Sequence, residues 1–287
     1  MFSGKRKIKY FVLIIFLGTT IWTWSVIFEQ ISDGILEITF FDIGQGDSIF
    51  IETSDGKQVL IDGGPDNSIL EKLNQTMSFY DRTIDLVILT HPDADHITGL
   101  VKVLNYYQIE HILTSGLEKD TAIYMKWKEL IEEKNISLSL AQQGQRIILQ
   151  NNVILEILWP DQNLISSYSN PANNVSVVTR LVYDDIEILL TGDIEKKVEN
   201  YLVNQDFDLE SDILKLAHHG SKSSTIFNFL KAVNPKIAVI SVGEDNRYKH
   251  PSQEVLERIK DLIIYRTDED GDICILTDGA LFDIIQP

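Results

Sequence analysis

Only one cysteine occurs in the 287 residues, Cys274 in the apolar run DICIL. No disulfide can form within the chain, and this thiol reads as a small core residue. Cysteine usage therefore leaves export open. Cations are also scarce: 25 lysines and arginines face 43 acids, a net charge of −18. Four of the cations lie in residues 1–30 beside a single acid, Glu29, so residues 31–287 carry 21 cations against 42 acids, or −21. Such a surface repels polyanions unless it is locally inverted. There is no G-x-S-x-G or other activated-serine context, no internal repeat and no low-complexity segment. Serine-nucleophile hydrolysis and repeat architectures are set aside on that ground.

What is present begins with Lys5, Arg6, Lys7 and Lys9, followed by Tyr10 to Phe28, 19 residues without a charge. As a helix this stretch spans the roughly 30 Å hydrocarbon layer of a bilayer. A cleaved signal peptide has the same layout, but its apolar part is usually about 7–15 residues and ends at an A-x-A-like site, which is missing here. The expectation is an uncleaved signal-anchor, with the cations cytoplasmic and Trp22 and Trp24 near the far interface. Residues 1–30 then form a basic end plus anchor. Residues 31–287 form a domain outside the cytoplasm, held to the cell membrane by a single pass through residues 10–28, or secreted if the segment is cleaved.

After the anchor, ILEITFFDI (35–43) and DSIFIETS (47–54) alternate as strands do, with GQG as a tight turn between them. Asp55-Gly56 marks a hairpin into KQVLIDGG, completing a three-stranded meander. Ser68 with Glu71 reads as a capping box for a helix over 68–79, and IDLVILT (84–90) as a buried strand. Helices and strands then alternate, with helices expected near 120–134, 194–204, 224–233 and 252–262. Strands are expected at 146–149, 152–159, 175–183 and 186–191, then in DILKLA and KIAVIS. Two β-rich halves with interleaved helices predict an α/β sandwich in one domain, sheets face to face and helices outside.

THPDADH delivers His91, Asp93, Asp95 and His96 from a loop directly after a buried strand. Rigid scaffolds present ligands at such places, although a polar loop with helix-capping aspartates explains the motif alone. LLTGD ends a second apolar strand in Asp193, and LKLAHHGS ends a third in His218 and His219. Three strand ends delivering acids and imidazoles form a convergent pattern, because divalent ions need oxygen and nitrogen donors from several segments.

These segments, with FFDIGQGDSIFIE (40–52), LIDGGPD (60–66), NNVSVV (173–178) and RYKHPS (247–252) in the same order, resemble the metallo-β-lactamase fold, and within it the hydrolase domain of the competence protein ComEC. The likeness covers about residues 35–285. It implies a four-layer αββα sandwich and a metal-dependent hydrolase. The channel and oligonucleotide-binding parts of ComEC proteins have no counterpart, so the expectation is a membrane-tethered relative whose role in DNA uptake does not follow.

The resemblance implies a centre of two divalent ions, Mn or Zn. One would take His91 and Asp93, the other Asp95, His96 and one histidine of the pair, with Asp193 bridging. The family's further histidine is missing. His111 comes too early, and Asn174 stands in its place, where a polar turn explains Asn173 and Asn174 as well. His218 is taken as the ligand, with His219 and His250 reaching the phosphoryl group or leaving group. Asp95 serves both as ligand and in catalysis, while His250 also reads as a helix-entry residue before Ser252. The expected chemistry is metal-assisted hydrolysis of a phosphodiester, with DNA among the candidate substrates and no protein partner required. Two ions of charge +2 would invert the local field. Lys215, Lys222, Arg247 and Lys249 are placed to widen that area, although each alone reads as a solvated surface charge. A small or wall-linked phosphodiester, or a tethered module without metals, are the rival readings. Asp47 and Asp62 read as turn-holding residues, and Ser221, Ser223 and Ser224 as caps of the next helix. Oxygen donors at Asp93 and Asn174 would favour Mn²⁺ over Zn²⁺ or a loosely held first ion.

Overall fold

The computed structural model describes residues 3–32, 34–150, 152–168, 172–205 and 207–286; of residues 3–6 and 25–32 it describes the backbone alone. The first helix, α1 (Ser3–Ser32), contains the segment Lys7–Trp24, long and apolar enough to cross a membrane and exposed along its length. The expected anchor Tyr10–Phe28 lies within it, except that the side chains of 25–28 fall outside the described residues.

Among the described residues, the rest of the chain forms two facing sheets. The first contains β1 (Leu36–Phe40), β2 (Ile49–Glu52), β3 (Gln58–Ile61), β4 (Thr83–Leu89), β5 (Gln108–Thr114) and β6 (Ser137–Leu140). The second contains β7 (Arg146–Gln150), β8 (Val153–Trp159), β9 (Val178–Tyr183), β10 (Ile186–Leu190), β11 (Ile213–Lys215), β12 (Ile237–Ile240) and β13 (Ile263–Arg266). β14 (Ile273–Thr277) and β15 (Phe282–Ile285) return to the first, whose order is β15-β14-β1-β2-β3-β4-β5-β6. The second runs β13-β12-β11-β10-β9-β8-β7.

Each sheet is antiparallel on one side and parallel on the other. Parallel pairing needs a crossover, and the helices provide it. In the first sheet these are α2 (Ser68–Thr76), α3 (Ala94–Tyr106) and α4 (Ala122–Glu133). Past the short turn α5 (Ile165–Tyr168), the second sheet uses α6 (Lys196–Val203), α7 (Phe227–Val233) and α8 (Gln253–Arg258); α9 (Thr267–Asp270) leads back toward β14. One apolar core lies between the sheets, around Ile38, Ile88, Leu181 and Ile188, and two more lie under the outer helices. The predicted αββα sandwich is the observed one.

Cys274 is buried and unpaired, as expected of a core residue. The capping box is not formed. Asn67 precedes α2 without a side-chain cap, and the N–H of Ser68 donates to Asp66 Oδ1 at 2.8 Å. The aspartate two residues upstream makes a local turn of its own and takes the donor that a box would have used. Several strands and helices are shorter than their sequence patterns, because the chain leaves regular structure to build the ends described next.

Candidate metal centre

The carboxyl ends of the parallel strands converge at one rim of the sandwich, the position where open α/β sheets bind ligands. β3 leads into Asp62, β4 into His91–His96, β10 into Asp193, β11 into His218 and His219, and β12 into Ser241. Two glycines bring the first pair of segments together. A Cβ on Gly99 of α3 would lie 1.8 Å from the carbonyl oxygen of Gly63, and one on Gly63 would lie 2.5 Å from the nitrogen of Leu100. Only bare backbone allows that approach. It is held by Gly63 N–H donating to His96 O at 2.8 Å and Gly99 N–H donating to Gly64 O at 3.0 Å, which places Asp62 beside His96.

His91, His96 and Asp193 present ligand atoms within 4.8 Å of one another, as do Asp95, His96 and His219, and also Asp47, Asp193 and His219. Asp193 Oδ2 stands 3.4 Å from the Nε2 atoms of both His96 and His219. His219 Nε2 is 3.7 Å from Asp95 Oδ2.

The hydrogen bonds on the far side of each ring decide its tautomer. His219 Nδ1 lies 2.8 Å from the Ser241 carbonyl oxygen, and His96 Nδ1 lies 2.7 Å from Asp62 Oδ2. Both partners only accept, so both Nδ1 atoms carry hydrogen. His91 Nδ1 faces the hydroxyls of Thr90 and Ser176, each at 3.1 Å. Those hydroxyls already donate, Thr90 to Asp62 at 2.6 Å and Ser176 to the Asn173 carbonyl at 2.7 Å. They therefore accept from His91 Nδ1. The Nε2 atoms of all three rings are buried without a hydrogen-bond partner, as is Asp193 Oδ1. Leaving such atoms unpaired costs about 1–3 kcal/mol each. A cation among them would take the place of any proton on Nε2, with each ring already oriented through Nδ1 as in metal-bound imidazoles.

The electrostatics point to the same need. Burial opposes charge on Asp193, yet His219 and His96 hold its carboxyl well below the usual range. Burial likewise opposes protonation of His96 and His219, but Asp193, helped by Asp62 for the first and Asp47 for the second, raises both, His219 to about 10. His91, buried and repelled by His96, is lowered to about 4. Positive charge beside these buried acids stabilises them, and a divalent cation would supply it in place of the imidazole protons. The donor set fits the metal that the resemblance implies.

Other expected residues stand apart. His218 joins none of these groups: its Nε2 is 3.9 Å from Asp193 Oδ2, its ring is partly exposed, and Asn173 Nδ2 approaches it at 3.1 Å. Both histidines have left-handed backbones, φ 52° and 54°, and this double turn sends the second ring inward and leaves the first at the mouth. Asp93 is paired with Lys119 and lies 3.9 Å from His91 Nε2, in none of the three-residue groups. The Asn174 amide oxygen accepts the Glu195 N–H at 3.1 Å, and its main-chain carbonyl accepts Trp159 Nε1–H at 2.9 Å. His250 sits 5.7 Å, ring to ring, from His218, with Nδ1 buried and unpartnered. Burial, with His218 and His219 nearby, lowers its pKa to about 4. Ser252 caps α8, so His250 also stands at a helix entry.

Four readings are corrected. Lys215 is fully buried, ion-paired with Asp47 and donating to the Gly192 carbonyl at 3.3 Å; it projects from β11 into the space between the sheets and not into solvent. Asp47 is its partner and lies 3.4 Å from His219 Nδ1, so its carboxylate belongs to the site and not to a turn. Asp62 does bond the backbone N–H of Thr90 at 2.9 Å but also fixes His96. Ser221, Ser223 and Ser224 do not cap α7. No side chain caps it: Glu199 of α6 takes the N–H groups of Thr225 and Ile226, just before the helix, and the serines are consumed by the turn that carries the histidines. Lysine inside the run LKLA was the one available signal for Lys215, since a charge within an apolar strand must find a partner.

The sequence model of the family described as Metallo-beta-lactamase superfamily matches residues 41–244. ComE operon protein 3 of Bacillus subtilis is 29% identical over 258 residues, covering 83% of this chain and 32% of that protein. Competence protein ComA of Neisseria gonorrhoeae is 30% identical over 250 residues, covering 85% and 32%. Recombination protein 2 of Haemophilus influenzae is 29% identical, covering 82% and 28%. The chain thus spans about a third of the length of these curated relatives. Among solved structures, the metallo-beta-lactamase fold protein YhfI from Bacillus subtilis superposes with a TM-score of 0.56 at 12% identity, covering 85% of this chain and all of that one. The metallo hydrolase Igni18 from Ignicoccus hospitalis gives 0.51 at 15%, covering 84% and 98%. At such identities the likeness establishes the fold alone.

Proposed function

The chain belongs to the metallo-beta-lactamase superfamily of metal-dependent hydrolases, and on that premise we propose that it is a membrane-tethered, extracytoplasmic phosphodiesterase with two divalent ions. One observation carries the reading: three buried imidazoles with Nδ1 fixed and Nε2 unpartnered, gathered around the two acids Asp95 and Asp193. His91, His96, His219, Asp95 and Asp193 are the proposed ligands, Asp193 Oδ2 standing 3.4 Å from both His96 Nε2 and His219 Nε2. His219 replaces His218 in the ligand set originally expected. Ions bound there would supply Lewis acidity that acidifies water and offsets charge on phosphoryl oxygens. His218 and His250, at the mouth, donate hydrogen bonds to the phosphoryl oxygens and keep the phosphorus in line. Asp95, whose side chain is 32% exposed, orients the attacking water. Asp93 is kept as an outer contact of the His91 position, reached only when Lys119 releases it.

The phosphodiester choice is supported by two relatives named for competence and recombination. Lys5 to Lys9 before the apolar helix favour a cytoplasmic N-terminus and a centre on the other side. A second reading, hydrolysis of a small or wall-linked diester, is favoured by the net charge of −18, which discourages a polyanion from lying along the surface.

The test is the full chain in detergent with Mn²⁺ or Zn²⁺, offered bis-p-nitrophenyl phosphate, single- and double-stranded DNA, and a β-lactam. Metal-dependent turnover of the diester is expected, lost on chelation and in His91→Ala, with unfolding of the metal-free variant nearly unchanged. Undiminished turnover after chelation would falsify the proposal. A steep fall of activity with salt marks a polymer tracked along the surface; a shallow one marks the small diester.

A further inference from the structure

The loop that carries His250 contains a cluster not used by hydrolysis itself. Asn246 clamps its ends: the side-chain amide donates to the carbonyl oxygens of Gly243 at 3.0 Å and His250 at 2.7 Å, and Oδ1 accepts the His250 N–H at 2.9 Å. With Lys249 at φ 57°, the residues between, Arg247, Tyr248 and Lys249, are thrown outward and exposed. Tyr248, 51% exposed, lies nearly parallel to His250, ring centres 5.8 Å apart and planes 16° apart. The guanidinium carbon of Arg247 sits 4.7 Å from the centre of the Tyr248 ring. Inward the ring series continues from His250 to His218 at 5.7 Å and from His218 to His219 at 6.1 Å.

A chain of net charge −18 thus displays two cations and an exposed aromatic side by side, on a clamped loop, leading to the proposed metal centre. Burial does not require this arrangement, since all three side chains lie in solvent. Planar guanidinium and phenol surfaces stack on bases whatever their sequence, because every base has a π-face. The clamp lowers the ordering cost of offering them.

We infer that Arg247 and Tyr248 form a stacking subsite for the base of a nucleotide phosphodiester whose phosphoryl group lies at the His218–His219 end. The inference rests on the phosphodiesterase reading and narrows it to nucleotide substrates; an aliphatic wall-type diester gains nothing from these surfaces.

The full chain in detergent with Mn²⁺ is assayed on thymidine 5′-(p-nitrophenyl phosphate) and methyl p-nitrophenyl phosphate, which share a leaving group. The wild type should prefer the nucleotide ester in kcat/KM on the order of 10-fold, the size of one base–aromatic stack. Tyr248→Ala should erase that preference and Tyr248→Phe keep most of it. Calorimetry without turnover should show the ratio of thymidine 5′-monophosphate to inorganic phosphate affinity falling by a similar factor in Tyr248→Ala. Equal preference in wild type and Tyr248→Ala overturns the subsite and leaves the hydrolytic reading standing. Tyr248-dependent nucleotide binding with neither ester turned over keeps the subsite and removes the hydrolytic reading.

Discussion

At the end of β4 the chain passes through Thr90 and His91 into the first turn of a regular helix, and Asp95 and His96 take their directions from that helix. At the end of β11 it passes from Lys215 into two consecutive left-handed residues, His218 and His219. Both segments supply imidazoles to one centre, but a helical turn sets the order of its side chains locally. A left-handed pair is costly for residues with a Cβ and persists only where distant groups hold it. Here these are the Ser241 carbonyl under His219 and the Lys215–Asp47 ion pair beside it.

The sharpest break of this comparison is the histidine pair. His219→Ala should lose a stoichiometric metal by elemental analysis and reduce hydrolysis to background. His218→Ala should keep its metal and lose about 100-fold in kcat, the scale of one transition-state contact. The reverse outcome would place the ligand at the first ring. In the helical segment, Asp62→Asn should weaken metal binding by about 10–100-fold in a competition titration, because His96 loses its anionic partner.

Lys215→Met should destabilise the fold by about 3–5 kcal/mol, because Asp47 is left buried without its ammonium partner. Calorimetry would read this as a fall in Tm on the order of 10 °C, and pairing it with Asp47→Leu should recover part of the loss. The smallest effect concerns Glu199, whose pKa burial raises from 4.5 to about 7. The folded state then binds a proton that the unfolded state has released between those values, so this residue's contribution is full below about pH 4.5 and is lost as pH rises from there through about 7. The stability of wild type relative to Glu199→Gln should fall across that window by up to about 3 kcal/mol; a flat difference would remove the assignment.

Much of the fold was legible before any coordinates. The alternation in ILEITFFDI and the continuous run IDLVILT correspond to β1 and β4, and α4 lies within the helix expected near 120–134. The failures have a common cause. The Ser68 capping box, the three serines before α7 and a solvated Lys215 were all inferred from neighbours in sequence. In each case the group is held elsewhere: Asp66 takes the Ser68 N–H, the serines bond within their own turn, and Asp47 pairs with Lys215. His91, His96 and Asp193 were visible as strand-end residues, but nothing local shows that His91 Nδ1 must donate because Thr90 and Ser176 have spent their own hydrogens.

By itself the sequence determined the periodicities, the strand ends that carry acids and imidazoles, the scarcity of cations and the apolar N-terminal helix, because these depend on side-chain type and short-range spacing. Tertiary structure alone decided which of two adjacent histidines turns inward, that Asp93 pairs with Lys119 and Asn174 with the Glu195 backbone, and that a lysine lies in the core. Those outcomes depend on which unpaired polar atom lies nearest once the sheets have closed. The partners come from segments as far apart as residues 47 and 215.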